Sequence, residues 1–263
     1  MFSKRILAVA AIMLLAVAGL GIGFYQLVGH QQALAGPVGV SSRDPEDVQG
    51  HLQRTEGGSP VIPVAPALPA SAGSVAFLET FDKSQKSLPD GWRTLPDAPG
   101  SWATTQSHLE QWGDLDRMPS DSNTVLVTKD NTFSDGILEA QVFPMGREPV
   151  GLVFRGSDSG YYRLTLFAAT PGASSRALLE KVGPDGKAIE LAANKDWAGY
   201  ALNRWQRMEV RATGGHIIVL VDGTQLIDVT DSAFGAGWVG VWTVADRGSA
   251  FDNVRVQRTA AGR

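Results

Sequence analysis

The chain contains no cysteine among its 263 residues. This excludes disulfide bridges, thiolate metal sites, cysteine nucleophiles and a lipid anchor on cysteine. Charged residues are also scarce, at 19%, where soluble globular proteins average about 25%. The net charge is −4 and no basic run is visible. Because an acidic surplus repels phosphate backbones, nucleic acid is not expected as a partner.

The long apolar run of this sequence lies at its N-terminus. Residues 6–28 carry no charge, and a helix of that length reaches roughly 34 Å, enough to cross a hydrocarbon core of about 30 Å. Lys4 and Arg5 precede the run, so the positive-inside rule places the rest of the chain outside the cytoplasm. We interpret residues 1–30 as a membrane anchor, with a cleaved signal peptide as the alternative. The first predicts a domain tethered in the periplasm or at the cell exterior, the second a secreted one.

Residues 31–74 are rich in proline, glycine and serine, and we interpret them as a linker. Pro60, Pro63, Pro66 and Pro69 recur every third residue, which matches the three residues per turn of a polyproline II helix. The prolines would line one edge of a semi-rigid rod of roughly 30 Å. A ligand for a proline-recognition domain is the alternative, although no basic residue directly flanks the stretch.

Residues 75–258 change to short runs of aliphatic, β-branched and aromatic residues separated by turn residues. In the run 137–143, the even-numbered residues are apolar, while the odd-numbered ones include Glu139 and Gln141. Such alternation is typical of a sheet with one face on a core and one in water. Asp222-Gly223 between two apolar runs indicates a hairpin. We therefore predict an all-β fold, a sandwich or barrel, followed by a disordered tail at 259–263.

The order of local motifs resembles the concanavalin A-like, LamG-type jelly-roll domains of bacterial exported proteins. The matching motifs are LETFD at 78–82, LPDGWRT at 88–94, GSW at 100–102, SDGILEAQV at 134–142, GLVFRGSDSGYYRLTL at 151–166, RWQRMEVRATGGHIIVLVDG at 204–223 and WVGVWTVADRGSAFDNVRV at 238–256. The 3-keto-disaccharide hydrolase-like family is similar. The resemblance implies a jelly-roll sandwich of two antiparallel sheets outside a bacterial cell membrane. Such domains bind sugars, accompany glycosidases or mediate protein contacts, and the fold does not choose among these functions.

The sequence lacks the clusters of the common hydrolases. Laminarinase-type sandwiches place two glutamates on one strand face, because an acid and a nucleophile must flank one glycosidic bond. Here the residue two positions after Glu139 is Gln141, and the pair Asp114 and Asp116 is predicted in a loop. No nucleophile elbow, phosphate loop or zinc motif is present. His108, also predicted in a loop, is the histidine nearest a candidate pocket. These absences favour a module that binds without catalysis.

A sugar site needs an aromatic plate for stacking and planar polar groups for paired hydrogen bonds. A hairpin after Arg155 would bring this residue close to Tyr161 and Arg163. If their face is the concave one, a ligand groove forms there. Its predicted members are Glu139, Gln141, Arg155, Tyr161, Arg163 and Trp242. The alternative is an ordinary charged outer face with cross-strand pairs. Trp92, Trp112 and Trp197 are predicted in loops with polar neighbours.

The resemblance also implies a structural calcium ion, because related jelly rolls often join their first and last strands through one. Asp82 in the opening strand and Asp252 or Asn253 in the closing strand could supply oxygen ligands. Backbone carbonyls would complete the set of about 6–8 that calcium takes. A strand junction without metal is the simpler alternative.

These observations predict a membrane-tethered, extracytoplasmic carbohydrate-binding module whose partner is a glycan or polysaccharide. Two other functions stay open. One is a glycoside-processing hydrolase of the 3-keto-disaccharide hydrolase-like type, with carboxylates converging from separate strands. The other is an envelope domain for protein–protein interaction.

Overall fold

The computed structural model describes residues 62–70, 73–84, 87–96, 100–105, 107–112, 123–130, 133–170, 177–244 and 247–258. The chain divides into two units, Met1–Gly58 and Ser59–Arg263, and every described residue belongs to the second. The predicted anchor at 1–30, the tail at 259–263 and most of the predicted linker lie outside the described residues. Among those that are described, no helix is long and apolar enough to span a bilayer.

The described part of the chain is built from strands. They are β1 (Ser74–Glu79), β2 (Trp92–Thr94), β3 (Ser101–Thr105), β4 (His108–Trp112), β5 (Asn123–Thr128), β6 (Gly136–Pro144), β7 (Val150–Ser157), β8 (Gly160–Leu166), β9 (Ala177–Val182), β10 (Ala188–Asn194), β11 (Gln206–Thr213), β12 (His216–Val221), β13 (Thr224–Thr230), β14 (Trp238–Val244) and β15 (Arg247–Arg258). Neighbouring strands pair antiparallel in both sheets. The predicted all-β fold with two antiparallel sheets is confirmed.

Two sheets form the sandwich. Sheet A has the order β13-β12-β11-β6-β15-β4-β3, and β1 also pairs with β15; sheet B has the order β10-β9-β8-β7-β14-β5-β2. The last strand, β15, therefore lies in the middle of sheet A, between β6 and β4. Such connections between non-consecutive strands are typical of jelly rolls. They bring β11, β6 and β15 side by side, although these strands are far apart in sequence.

The core lies between the two sheets and takes alternate side chains from each strand. Leu138, Ala140 and Val142 point inward from β6, and Met208 and Val210 point inward from β11, all with 0% exposure. Successive residues of a strand point to opposite faces. Burial of a large aliphatic side chain contributes about 1.5–3 kcal/mol, so this pattern also fixes which residues reach the outer faces.

The hairpin predicted at Asp222-Gly223 is confirmed between β12 and β13. The two residues have φ angles of 50° and 82°, the positive values that a two-residue type I′ turn requires. The Asp222 carboxylate accepts hydrogen bonds from the Arg207 backbone N–H at 2.9 Å and from the Arg204 guanidinium at 3.0 Å. The turn is thereby tied to β11, which supports the register of this part of sheet A.

The predicted loop positions of Trp92, Trp112 and His108 are wrong. Trp92 begins β2, is 2% exposed and packs against Phe81 with ring centroids 5.5 Å apart. His108 begins β4, which ends at Trp112. Both strands are short and have turn residues on either side, so their local patterns are weak. β2 is stabilised by pairing with β5, and β4 by pairing with β15. Such long-range pairing cannot be predicted from the local sequence.

Candidate functional site

The structure does not bring the six predicted groove residues together. Glu139 and Gln141 lie on the outer face of sheet A, whereas Tyr161, Arg163 and Trp242 lie on the outer face of sheet B. The core separates the two faces. Alternation along a strand assigns a residue to one face of that strand, but only the long-range pairing decides which sheet the strand joins.

Arg155 lies on neither face, because it is 1% exposed at one end of the sandwich. Its Nε donates to the Ser134 carbonyl at 2.8 Å, and its Nη2 lies 3.1 Å from Asp135 Oδ1. The backbone φ of Arg155 is 50°, and the pairing of β7 with β8 shifts register at this point. A bulge therefore interrupts the alternation here, and the guanidinium is satisfied by protein groups.

Trp242 belongs to a buried apolar cluster on the outer face of sheet B. Its indole N–H donates to the Leu164 carbonyl at 2.7 Å, and a Cβ at Gly151 would come within 2.7 Å of the same nitrogen. The Arg163 guanidinium covers the ring at 4.7 Å from its centroid. Since Trp242 is 3% exposed, it has no free ring face on which a sugar could stack.

The outer face of sheet A carries a continuous row of planar polar side chains, which we call the polar face. Its members are Glu139, Gln141, Arg207, Glu209, Asp252, Asn253, Arg255 and Gln257. Antiparallel register places them opposite one another across β11, β6 and β15. Most of them are less than 9% exposed although they do not point into the core. The polar face is therefore a fixed hydrogen-bonded surface and not a set of freely solvated charges.

Glu139 lies at the centre of the polar face and is 2% exposed. Its Oε2 accepts hydrogen bonds from Arg255 Nε at 2.8 Å, Arg255 Nη2 at 2.6 Å and Gln257 Nε2 at 2.5 Å. Arg207 lies 3.4 Å from Glu139 Oε1 and 3.5 Å from Glu209 Oε2. Glu139 thus positions two arginines, of which Arg207 is the more exposed.

A β-bulge in β15 sets two consecutive polar residues on the polar face. Phe251 and Val254 both point into the core, so strict alternation would turn either Asp252 or Asn253 inward. Asn253 instead has a φ of 51°, and the pairing of β15 with β6 shifts register between Asp252 and Arg255. Bulges that re-aim side chains occur next to functional sites, and a left-handed residue other than glycine is strained.

The bulge brings an amide and a carboxylate beside Gln141. Asn253 Nδ2 donates to Gln141 Oε1 at 2.6 Å, and the Asn253 backbone N–H donates to Asp252 Oδ1 at 2.6 Å. Asn253 is half-buried, so it reaches the surface while its neighbours are buried. The three side chains form a compact set of hydrogen-bonding groups at the middle of sheet A.

The polar face continues onto β4 through His108 and Glu110. His108 Nε2 lies 2.7 Å from Glu110 Oε1, and both side chains are buried. Burial raises the pKa of Asp252 to about 6; the Asn253 N–H opposes this, Asp82 raises it further, and His108 lowers it. A carboxyl group that titrates near neutral pH in a polar cluster is a candidate for acid–base chemistry.

Replacing Asp252 by asparagine is expected to flatten the pH dependence of stability between about pH 4 and 6. The folded-state pKa of about 6 lies above the ordinary value of 3.8, so the folded protein binds this proton more tightly than the unfolded chain does. The protonated Asp252 carboxyl contributes about 3 kcal/mol at most to the free energy of unfolding. This contribution is complete below about pH 4 and is lost as pH rises through 6. Urea midpoints of both proteins from acid to neutral pH measure this effect.

Asp185→Asn is the matched control for the pH series. Asp185 is exposed, and its hydrogen bond with Lys187 lowers the pKa of its carboxyl, so its pH dependence has the opposite sign. A midpoint difference between wild type and Asp252→Asn that stays constant with pH would contradict the prediction.

The calcium site at Asp82 and Asp252 stays a prediction. Within the described ranges, no group of three or more His, Asp or Glu side chains is arranged to hold a metal. Asp82 lies beyond the end of β1 and not in the opening strand as predicted. It is near enough to affect the pKa of Asp252, and its Oδ2 accepts from the Thr80 hydroxyl at 2.6 Å. If both carboxylates share a calcium ion, added calcium should raise the melting temperature above that in EDTA, and Asp82→Asn should remove the difference. Equal melting temperatures with calcium and with EDTA would count against the site.

Sequence reasoning missed several members of this site. Arg207 and Glu209 are two positions apart, so strand alternation places them on one face, but it does not reveal their pairing with Glu139. The order Phe251-Asp252-Asn253-Val254 breaks the period of two with adjacent polar residues. That break was the available signal for the bulge.

Comparison with known proteins supports the architecture. A family model described as a 3-keto-alpha-glucoside-1,2-lyase-like domain matches residues 77–257. The chain is similar to the carbohydrate-binding module CBM66 from Bacillus subtilis, with 22% identity, coverage of 64% of this chain and 96% of that chain, and a TM-score of 0.52. No significant match exists among curated proteins.

Two further solved structures share the fold. One is a Bacillus subtilis protein of unknown function with a galectin-like fold, with 15% identity, coverage of 71% of this chain and 96% of that chain, and a TM-score of 0.52. The other is LamA from Z. galactanivorans in complex with laminaritriose and laminaritetraose, with 11% identity, coverage of 70% and 99%, and a TM-score of 0.52. These similarities, with the family match, confirm the predicted jelly-roll resemblance.

Proposed function

The chain belongs, through residues 77–257, to the family of 3-keto-alpha-glucoside-1,2-lyase-like domains, and on that premise we propose that its polar face binds a glucoside or glucan without cleaving it. The observation that carries this proposal is the bulge at Asn253, which sets Asp252 and Asn253 beside Gln141. Amide and carboxylate groups held in fixed positions suit the paired hydroxyls of a sugar ring.

The exposed and buried members of the polar face have different tasks. The Arg207 side chain is 22% exposed and Asn253 is half-buried, so these two can reach a ligand. Glu139 and Arg255 are nearly inaccessible and hold Arg207 and the strand in place. Preorganised groups lose less conformational entropy when a ligand binds.

Trp205 provides an aromatic group beside the polar face. It immediately precedes β11, is partly buried, and lies with its ring centroid 6.4 Å from that of His108. A tryptophan next to amides and carboxylates is the combination that sugar stacking requires. The solved structures of CBM66 and of LamA with laminaritriose show that this fold occurs in a carbohydrate-binding module and in a protein bound to glucan fragments.

A glycan array probed with the full-length chain tests the proposal. Glucose oligosaccharides, including laminaritriose, and 3-keto-glucosides are expected to give the strongest signals. Calorimetry on the best sugar should then show binding without consumption of the ligand. An array without binding at high protein concentration would overturn the proposal. Capture of an envelope protein that sugars do not displace would favour the protein-interaction alternative.

One observation favours glycoside processing as a second candidate, namely the raised pKa of Asp252 beside His108. Elimination across C1 and C2 of a 3-keto-glucoside needs a base for the C2 proton, which the neighbouring ketone makes acidic. The Asp252 carboxylate would take that proton as the C1–O bond breaks and a C1–C2 double bond forms. The leaving oxygen would take a proton from solvent, and Asp252 would return its own to solvent. Asp252 would act as the general base.

Ultraviolet absorption of the unsaturated ketone measures this reaction directly. Wild type should convert a 3-keto-glucoside, and Asp252→Asn should not, while its binding of the sugar persists. Absence of turnover by wild type would eliminate the candidate.

We further propose that the domain is tethered outside a bacterial cell membrane. The uncharged run at 6–28, preceded by Lys4 and Arg5, supports this placement. Cell fractionation should find the intact chain in the membrane, released by detergent and not by high salt. A shorter chain in the soluble fraction would favour the cleaved and secreted alternative.

A further inference from the structure

The segment 62–70, part of the predicted linker, packs on the sandwich. Ile62 is 6% exposed and contacts the side chains of Phe143 and Ala250 on the outer face of sheet A. The Trp205 indole N–H donates to the Pro63 carbonyl at 2.6 Å. One apolar side chain and one hydrogen bond therefore fix the start of the segment next to the polar face.

Exposure along this segment follows a period of three. Ile62 is buried and Ala65 and Leu68 are half-buried, whereas the residues between them are exposed. Val64, for example, is 88% exposed. A polyproline II helix has three residues per turn, so every third side chain shares one edge. The edge with Ile62, Ala65 and Leu68 faces the protein, and the prolines face outward.

The two ends of this stretch lie near the two ends of β15. Ile62 packs beside Ala250 near the start of that strand, and Ser74 pairs with Arg258 at its end. Eight strand residues separate these points by about 26 Å. Twelve residues of polyproline II reach about 37 Å, so the chain can make this crossing with some slack.

Three polar residues of β15 lie between these two ends and are buried on the outer face. Asp252, Arg255 and Gln257 are 6%, 8% and 4% exposed although they point away from the core. Charged side chains on an outer face are ordinarily solvated. A segment lying over β15 would produce such burial, and residues 62–70 are anchored beside this strand through Ile62 and Pro63.

We propose that residues 62–70 form a strap that closes the polar face and competes with its ligand. The Pro63 carbonyl accepts the Trp205 indole N–H, and Trp205 packs against the cluster that contains Ile62, so the strap lies against the side chain on which a sugar would stack. The identity of the ligand in this inference rests on the proposed function, whereas the closure of the polar face by residues 62–70 does not. A ligand would bind after the strap leaves. Its apparent affinity is therefore the intrinsic affinity multiplied by the fraction of open molecules.

The test compares one charge at two positions of the strap in the full-length chain. Ile62→Asp places a carboxylate against Phe143 and Ala250 and should release the strap, whereas Val64→Asp places the same charge in solvent. Diethyl pyrocarbonate modifies accessible histidines, and peptide mass spectrometry gives the rate for each. His108 is 2% exposed, and the His216 side chain is 49% exposed and serves as the internal reference.

We expect His108 to react about tenfold faster or more in Ile62→Asp, with Val64→Asp equal to wild type and His216 unchanged throughout. Ile62→Ala, which removes most of the apolar side chain packed on Phe143 and Ala250 without adding a charge, should act in the same direction. A shift in the His216 rate or in the circular dichroism spectrum would identify a misfolded Ile62→Asp variant, and Ile62→Ala then decides. An unchanged His108 rate in the folded variants would overturn the strap.

Sugar affinity completes the test. Ile62→Asp should bind the array-selected sugar about tenfold more tightly or better, with Val64→Asp again equal to wild type. A faster His108 reaction with unchanged sugar affinity would overturn the competition. A faster His108 reaction in Ile62→Asp, with no sugar binding by wild type or by either variant, would support the strap and contradict the proposed function. The two failures can therefore be told apart.

Discussion

Replacing Glu139 by leucine is expected to lower the free energy of unfolding by about 3–5 kcal/mol. Glu139 is 2% exposed and accepts three hydrogen bonds from Arg255 and Gln257. Without it, the Arg255 guanidinium stays buried with no carboxylate opposite. An unpaired buried charge is the main cause of such large losses. Urea unfolding followed by far-ultraviolet circular dichroism measures the change.

A double variant separates the loss of the pair from the loss of packing. Glu139→Leu combined with Arg255→Met removes both charges and fills the space with apolar atoms. Replacing a whole buried ion pair in this way is often neutral, so most of the lost stability should return. Asp185→Ala breaks an exposed pair with Lys187 and should leave the urea midpoint unchanged. A loss below about 1 kcal/mol in Glu139→Leu would show that the polar face does not hold the sandwich together.

Replacing Asn253 by glycine is expected to weaken sugar binding about tenfold with little change in stability. Glycine adopts the positive φ of 51° without strain, so the bulge in β15 should persist. What disappears is the side-chain amide that donates to Gln141 and that we propose binds the sugar. Because Gln141 accepts a hydrogen bond from this amide, adding Gln141→Ala should weaken binding by less than a further factor of about ten. Calorimetry with the array-selected sugar, beside thermal unfolding, gives both quantities.

Asn203→Gly is the matched control for this prediction. Asn203 also has a positive φ, of 55°, and lies in the turn before β11. The same substitution there should leave sugar affinity unchanged. Wild-type affinity in Asn253→Gly would refute the assignment of the site to the bulge. An equal loss in both variants would mean that the effect is conformational and not a lost contact.

The same rules of alternation explain where sequence reasoning succeeded and where it failed. Leu138, Ala140 and Val142 were assigned to the core from their period, and the structure confirms this. Glu139 and Gln141 were correctly assigned to the opposite face. Their predicted partners Tyr161 and Arg163 belong to β8 of sheet B, on the other side of the core.

The sequence by itself determined the all-β class, the alternation within the stronger strands and the type I′ turn at Asp222-Gly223. These features depend on near neighbours: side chains of a strand alternate, and an Asp-Gly pair tolerates positive φ. The tertiary structure decided the composition of the polar face, because it depends on which strands pair. β15 joins β6 and β4 across more than a hundred residues of chain. Only this pairing places Asn253 beside Gln141 and brings Ile62 to Ala250, since local propensity carries no information about distant partners.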